Sequence, residues 1–221
     1  MKLKKIASLA LAGIMAVSML AGCKDSGNSN SGSSSENTNT TSGYSAMLGQ
    51  KVAETLSKND LDEIFTFADN ADDQKALKQV VLDNITQNDV TNYLTTVVSI
   101  KNASDLDTPA QAVVTSFMNK IEATSGIGGW FTTDSLNKSK VASVWVANGS
   151  VDMSTVMDNI SNAVKDSFAD ADDKGDMSGV NLSYEYEVSV SVENVPATAN
   201  TNYTGSVNFI AVTVTRTATH D

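Results

Sequence analysis

Cysteine and histidine are almost missing from this 221-residue chain, which has one of each: Cys23 and His220. A lone thiol excludes an intramolecular disulfide, and a single histidine near the C-terminus leaves no Cys/His set from which a zinc site could be built. Cysteine or histidine catalysis is close to excluded for the same reason. Basic residues are also few, 15 against 26 acids, for a net charge of −11. Three of the bases, Lys2, Lys4 and Lys5, lie in the first five residues. A chain without that leader would carry a charge of about −14, which repels phosphate backbones and disfavours nucleic-acid binding. After residue 22 no stretch is apolar for 18 residues, the length a membrane-spanning helix needs.

Where apolar residues do run together, they run at the start. Met1 to Lys5 form a basic n-region, and Ile6 to Gly22, "IASLALAGIMAVSMLAG", is uncharged throughout. It ends in Leu20-Ala21-Gly22-Cys23, which closely resembles the lipobox of bacterial lipoproteins. The resemblance implies that a diacylglyceryl group is attached to the Cys23 sulfur and that signal peptidase II cuts before Cys23. Cys23 is then the N-terminal residue and the lipidation site, with no free thiol. Two acyl chains are a sensible minimum for stable anchoring, since each buried methylene contributes about 0.8 kcal/mol and one chain holds only marginally.

Residues 24 to 43, "KDSGNSNSGSSSENTNTTSG", contain no aliphatic or aromatic side chain and read as a flexible tether. Its root-mean-square span is roughly 25 Å and its stretched limit roughly 70 Å. The expected organisation is a signal peptide (1–22), a lipidated cysteine and tether (23–44), and one α+β domain (45–221). The long Ser/Asn tether is similar to those of Gram-positive lipoproteins.

Within the domain, Leu48, Val52 and Leu56 recur every four residues and predict a helix ending near Lys58. Asn59 offers a cap for a short helix presenting Leu61, Ile64, Phe65 and Ala68, and Asn70 a cap for one presenting Leu77, Val80 and Val81. From Val90 to Ile100, alternation and β-branched residues predict a strand. Thr108-Pro109 then starts a helix in the cap and N1 positions, carrying Val113, Val114, Phe117 and Ile121. A second strand, "KVASVWVAN", leads to a helix presenting Met153, Val156, Met157, Ile160, Val164 and Phe168. Asn102 and Asn148 follow the two strands at similar positions, a weak internal repeat that duplication and ordinary strand-to-helix grammar explain about equally well.

From Leu182 to Glu193 apolar residues alternate without a break with Ser or Glu, predicting an antiparallel strand with one wet face. "GSVNFIAVTVTRT" returns as its partner, apolar on both faces. The fold class is therefore α+β: short N-terminal helices on a mainly antiparallel sheet of about four strands, with two strand-helix units and a closing hairpin. In element order it is similar to the cystatin-like and NTF2-like cone folds, a resemblance that implies no site.

Three candidate sites follow. Asp170 to Asn181, "DADDKGDMSGVN", matches a calcium loop at Asp170, Asp172, Gly175 and Ser178, with Asp176 nearby. Lys174 and Asn181 occupy positions where oxygen ligands are required, and a solvated acidic turn explains the stretch better. Trp130 and Phe131, after three glycines, together with Tyr184 offer aromatic surfaces for a ligand, although core anchoring explains such residues as well. Glu185 and Glu187 stand two apart on one strand face, roughly 7 Å between backbones, a separation compatible with paired-carboxylate glycoside hydrolysis.

The function expected from these features is that of a membrane-anchored extracytoplasmic lipoprotein. Its domain binds a small ligand or another envelope protein without catalysis or a resident cofactor. The alternatives are a carboxylate-dependent hydrolase of wall glycans and a spacer with no ligand. The bilayer is the one partner that the residues specify, through diacylglyceryl-Cys23.

Overall fold

The last two strands of the chain hold the rest together. The structure, a computed structural model, describes residues 43–127, 139–198 and 203–220. The lipobox with Cys23, most of the tether, Trp130 and Phe131 lie outside the described residues. Five helices occur among those described: α1 (Tyr44–Lys58), α2 (Ala71–Asn84), α3 (Gln87–Thr96), α4 (Thr108–Ile121) and α5 (Met153–Ala169). The strands are β1 (Phe65–Phe67), β2 (Ile100–Asn102), β3 (Thr124–Ser125), β4 (Ser139–Asn148), β5 (Lys174–Met177), β6 (Val180–Pro196) and β7 (Ser206–His220). They form one mixed sheet in the order β1-β6-β7-β4-β2, with β3 beside β4 and β5 beside β6. The class is α+β, with seven strands where about four were expected.

β6 and β7 pair antiparallel from Leu182↔His220 to Pro196↔Ser206, and β7 also pairs with β4 from Ser139↔Arg216 to Asn148↔Val207. Alternate residues of the central strand therefore face opposite sides. Ile210, Val212 and Val214 join Tyr186, Val188 and Val190 of β6 under α1 and α5. On the other side Val207, Phe209 and Ala211 join Ala142, Val144 and Val146 of β4 under α2, α3 and α4. Helices cover both faces because β7 is apolar on both.

Helix α1 buries Leu48, Val52 and Leu56 as its spacing requires, and α5 buries Val156, Met157, Ile160, Val164 and Phe168. Asp152 caps α5 by accepting from the Thr155 amide, and Asn70 caps α2 by accepting from the amides of Asp72 and Asp73. For α1 the cap comes from far along the chain. The Asp69 carboxylate accepts from the amides of Gly43 and Ser45, at 2.9 and 3.3 Å.

Several expectations are corrected. The Val90 to Ile100 stretch is mainly helix α3, not a strand; only Ile100–Asn102 is extended. Thr86 and Asp89 form a reciprocal capping box, and the buried residues Val90, Tyr93 and Val97 follow helical spacing. Residues 61–68 are not a helix; Phe65–Phe67 is a parallel strand against Tyr186–Val188 of β6. Asp107, not Thr108, is the N-cap of α4. The 170–181 turn contains β5, which pairs with the start of β6. The polar face of β6 is also wet for only half its length, since Ser189 and Ser191 are buried.

Beyond β1, side chains replace a neighbouring strand along the free edge of β6. The Ser45 hydroxyl accepts from the Val190 amide at 2.8 Å. The Gln74 amide group accepts from Val192 N and donates to Val192 O, both at 2.9 Å, as a strand residue would. Gln87 repeats the arrangement at Pro196 O and Thr198 N. These groups satisfy backbone donors and acceptors that an edge otherwise leaves open.

The link from β4 to α5 runs against the start of β7. Gly149 N donates to Ser206 O at 2.7 Å, and a Cβ on Gly149 would lie 2.6 Å from that carbonyl oxygen. Gly149→Ala therefore has to push β7 away from β4, and a loss of about 1–3 kcal/mol is expected. Urea unfolding followed by circular dichroism measures it; an unchanged midpoint would show that the two segments separate freely.

Candidate functional site

Two of the open grooves among the described residues border the helices on the β4 side of the sheet. One, of about 450 Å³, is bounded by uncharged side chains of α4 and its surroundings, including Gln111, Thr115, Met118 and Asn119. The other, of about 490 Å³, lies between α2, the end of α4 and β4, and it is strongly charged. Its chemistry starts with the cap of α2.

Asn70 fixes the first turn of α2 and directs Asp73 toward the sheet, where it is 2% exposed. There Asp73 Oδ1 accepts from Lys140 Nζ of β4 at 3.2 Å, and Oδ2 accepts from Ser189 Oγ of β6 at 3.0 Å. A buried carboxylate is tolerable only with such partners. The trio ties α2 to two strands, and it also aims Lys140. The Lys140 side chain is 24% exposed and borders the groove, so one ammonium proton goes to Asp73 and two remain for other acceptors.

Around this buried pair stand Asp72, Lys75, Lys120 and Glu122, with Ala76 and Ile121 supplying apolar floor. On α2 the groove-lining residues Asp72, Lys75, Ala76 and Gln79 follow one helical face. Lys120 belongs to the last turn of α4, and Glu122 takes the left-handed conformation at its C-cap. Further along the same face of the sheet, burial raises the Glu193 carboxyl above its ordinary 4.5, with Lys78 opposing. The buried Thr213 hydroxyl, between Ser189 and Ala142 in register, has no hydrogen-bond partner.

Of the expected site residues, Cys23, Trp130 and Phe131 lie outside the described residues, and the others fall in separate places. Tyr184 is 1% exposed and lies in the α1/α5 core, with the Arg216 guanidinium 4.5 Å from its ring centroid. Its neighbour Tyr186 donates to the Asp172 carbonyl at 2.8 Å; burial pushes the phenol up to about 12, against the opposing pull of Arg216. Asp170 is the C-cap of α5, and Asp176 accepts from Gly179 N in the β5–β6 turn. No group of three or more His, Cys, Asp or Glu placed to hold a metal occurs among the described residues. Glu185 and Glu187 are exposed on β6, next to Thr217 and Thr215 of β7.

The Asp73 trio and Lys75, Lys120 and Glu122 escape sequence reasoning because they come from four separate elements. The one local signal was the pairing of serine with a supposedly wet strand face. Ser189 cannot act as a nucleophile from where it sits, 3% exposed and donating to Asp73. What the arrangement offers is a positioned ammonium beside charges of both signs.

Removing Asp73 leaves Lys140 and Ser189 without their buried acceptor. Lys140→Ala in turn leaves a carboxylate that is 2% exposed with only the neutral Ser189 hydroxyl; it should cost about 3–5 kcal/mol in urea unfolding, the range for leaving a buried charge without its counter-charge, and more than Asp73→Ala, which leaves an ammonium that is 24% exposed and can turn to water. Equal losses would mean that the carboxylate is solvated. At Glu193 the folded state favours the neutral acid, so the native form is disfavoured as pH rises through the elevated pKa. Glu193→Gln should raise the melting temperature at pH 7 and have no such effect below about pH 4, where both states are protonated. A gain that is independent of pH would remove ionisation as its cause.

No family model matches the chain, and neither a curated protein nor a solved structure matches it.

Proposed function

We propose that the chain is a lipoprotein anchored to the extracytoplasmic face of a cell membrane through diacylglyceryl-Cys23, and that its α+β domain is a non-enzymatic binding module. The observation that carries the reading is the junction Leu20-Ala21-Gly22-Cys23, behind a basic start and an uncharged apolar run and ahead of a Ser/Asn tether. No helix among the described residues is long and apolar enough to cross a membrane. The open charged groove beside Lys140 supports binding as the domain's role. Its buried Asp73–Ser189 hydrogen bond is spent on positioning, which suits recognition rather than turnover.

The anchor is tested directly. In cells that make the wild-type chain, the protein should partition into the detergent phase of a Triton X-114 separation and carry the mass of a lipidated chain starting at Cys23. Cys23→Ser should leave it unprocessed or release it to the aqueous phase. Identical mass and partitioning of the two forms would refute lipidation.

A further inference from the structure

The groove beside Lys140 contains charges that the fold does not use. Asp73 and Lys140 satisfy each other. Asp72, Lys75, Lys120 and Glu122 make no ion pair with any described residue, although all four line one groove. Two cations and two anions thus face the same space without neutralising one another. The clustering is notable in a chain so short of bases, since three of its 15 line this groove.

The signs set the ligand. A polyanion is disfavoured by Asp72, Glu122 and the acidic domain around them. A simple cation meets three ammonium groups. A molecule with one charge of each sign meets partners for both. Its anionic end is received by Lys140, whose ammonium is already held in place by a carboxylate that is 2% exposed and therefore loses little freedom on binding. The α2 wall of the groove, from Asp72 to Gln79, is about 10.5 Å long at 1.5 Å per residue, room for a short peptide to lie along it. Ala76 and Ile121 supply an apolar floor of modest size, and the Gln79 amide offers a donor and an acceptor for a peptide bond.

We infer that this groove binds a short peptide with free termini, its carboxylate on Lys140 with Lys75 or Lys120 and its ammonium on Asp72 or Glu122. The inference rests on the binding-module reading and adds its ligand class. It is independent of the lipid anchor.

The test is a calorimetric titration of the detergent-solubilised full chain with Ala-Ala-Ala, its N-acetylated form and its C-amidated form. The free tripeptide should give saturable heat, and each blocked form should bind at least about tenfold more weakly, the effect of losing one charge-assisted contact. In the double variant Lys75→Gln, Lys120→Gln the difference between the free and amidated peptides should shrink severalfold. In Asp72→Asn, Glu122→Gln the difference between the free and acetylated peptides should shrink instead. These four residues are not part of the buried trio, so an unchanged melting temperature serves as the control for folding. No saturable heat, equal binding of the three peptides, or variants that leave both differences intact would overturn the inference. Thermal unfolding with a cell-envelope extract separates the two levels. A shift with extract but none with the tripeptide refutes the ligand class and leaves a binding module, whereas no shift with either refutes both.

Discussion

Strand β7 has to be apolar on both faces, and the other elements are arranged around that constraint. A strand buried on one side needs one layer of helices; Phe209, Ala211 and Val207 on one face and Ile210, Val212 and Val214 on the other need two. Both long neighbours of β7 are antiparallel and directly hydrogen-bonded to it. Placing it centrally also withdraws its backbone from any edge. The helices then sort themselves by which face they cover, α1 and α5 on one side and α2, α3 and α4 on the other.

The price of this plan falls on β6, which is long and next to the edge. Its backbone is satisfied by a short parallel strand and then by Ser45, Gln74 and Gln87 in turn. The same region accommodates Asp73, a charge in an otherwise apolar layer, through two partners from different strands. Polar residues here are structural first, and the groove borrows one of them. Lys140 is presented to solvent in a fixed position because the fold needs its charge against Asp73.

Long, regular periodicity was readable from sequence. Helices α1, α2 and α5 and strands β4, β6 and β7 all declare themselves through apolar spacing that agrees with their caps and turns. The failures have physical causes. Val90, Tyr93 and Val97 sit among threonines and valines whose β-branching favours a strand, yet the Thr86/Asp89 capping box and the apolar face buried against Phe209 outweigh that preference. Phe65 resembles a helix-face residue only when Leu61, Ile64 and Ala68 are counted with it; pairing of Phe65–Phe67 with β6 extends this stretch instead. Ser189 and Ser191 looked solvated because alternation reports which face a residue is on, not what covers that face. The groove itself was invisible, since Asp72, Lys120 and Lys140 share no spacing and meet only through tertiary packing.

One consequence concerns the order in which the molecule can form. Ser45 bonds to Val190 across 145 positions, and Gln74 to Val192 across 118. The first helix packs on α5 and β6, and the first strand pairs with β6, so neither is docked until residues beyond 150 and 180 are present, and closing such long loops makes early folding slow. During synthesis the N-terminal half is a collection of marginal helices with no sheet beneath them. A chain built this way stays pliable until its last hairpin emerges and then gains most of its long-range contacts together, which suits any route that must handle it as an extended polypeptide first.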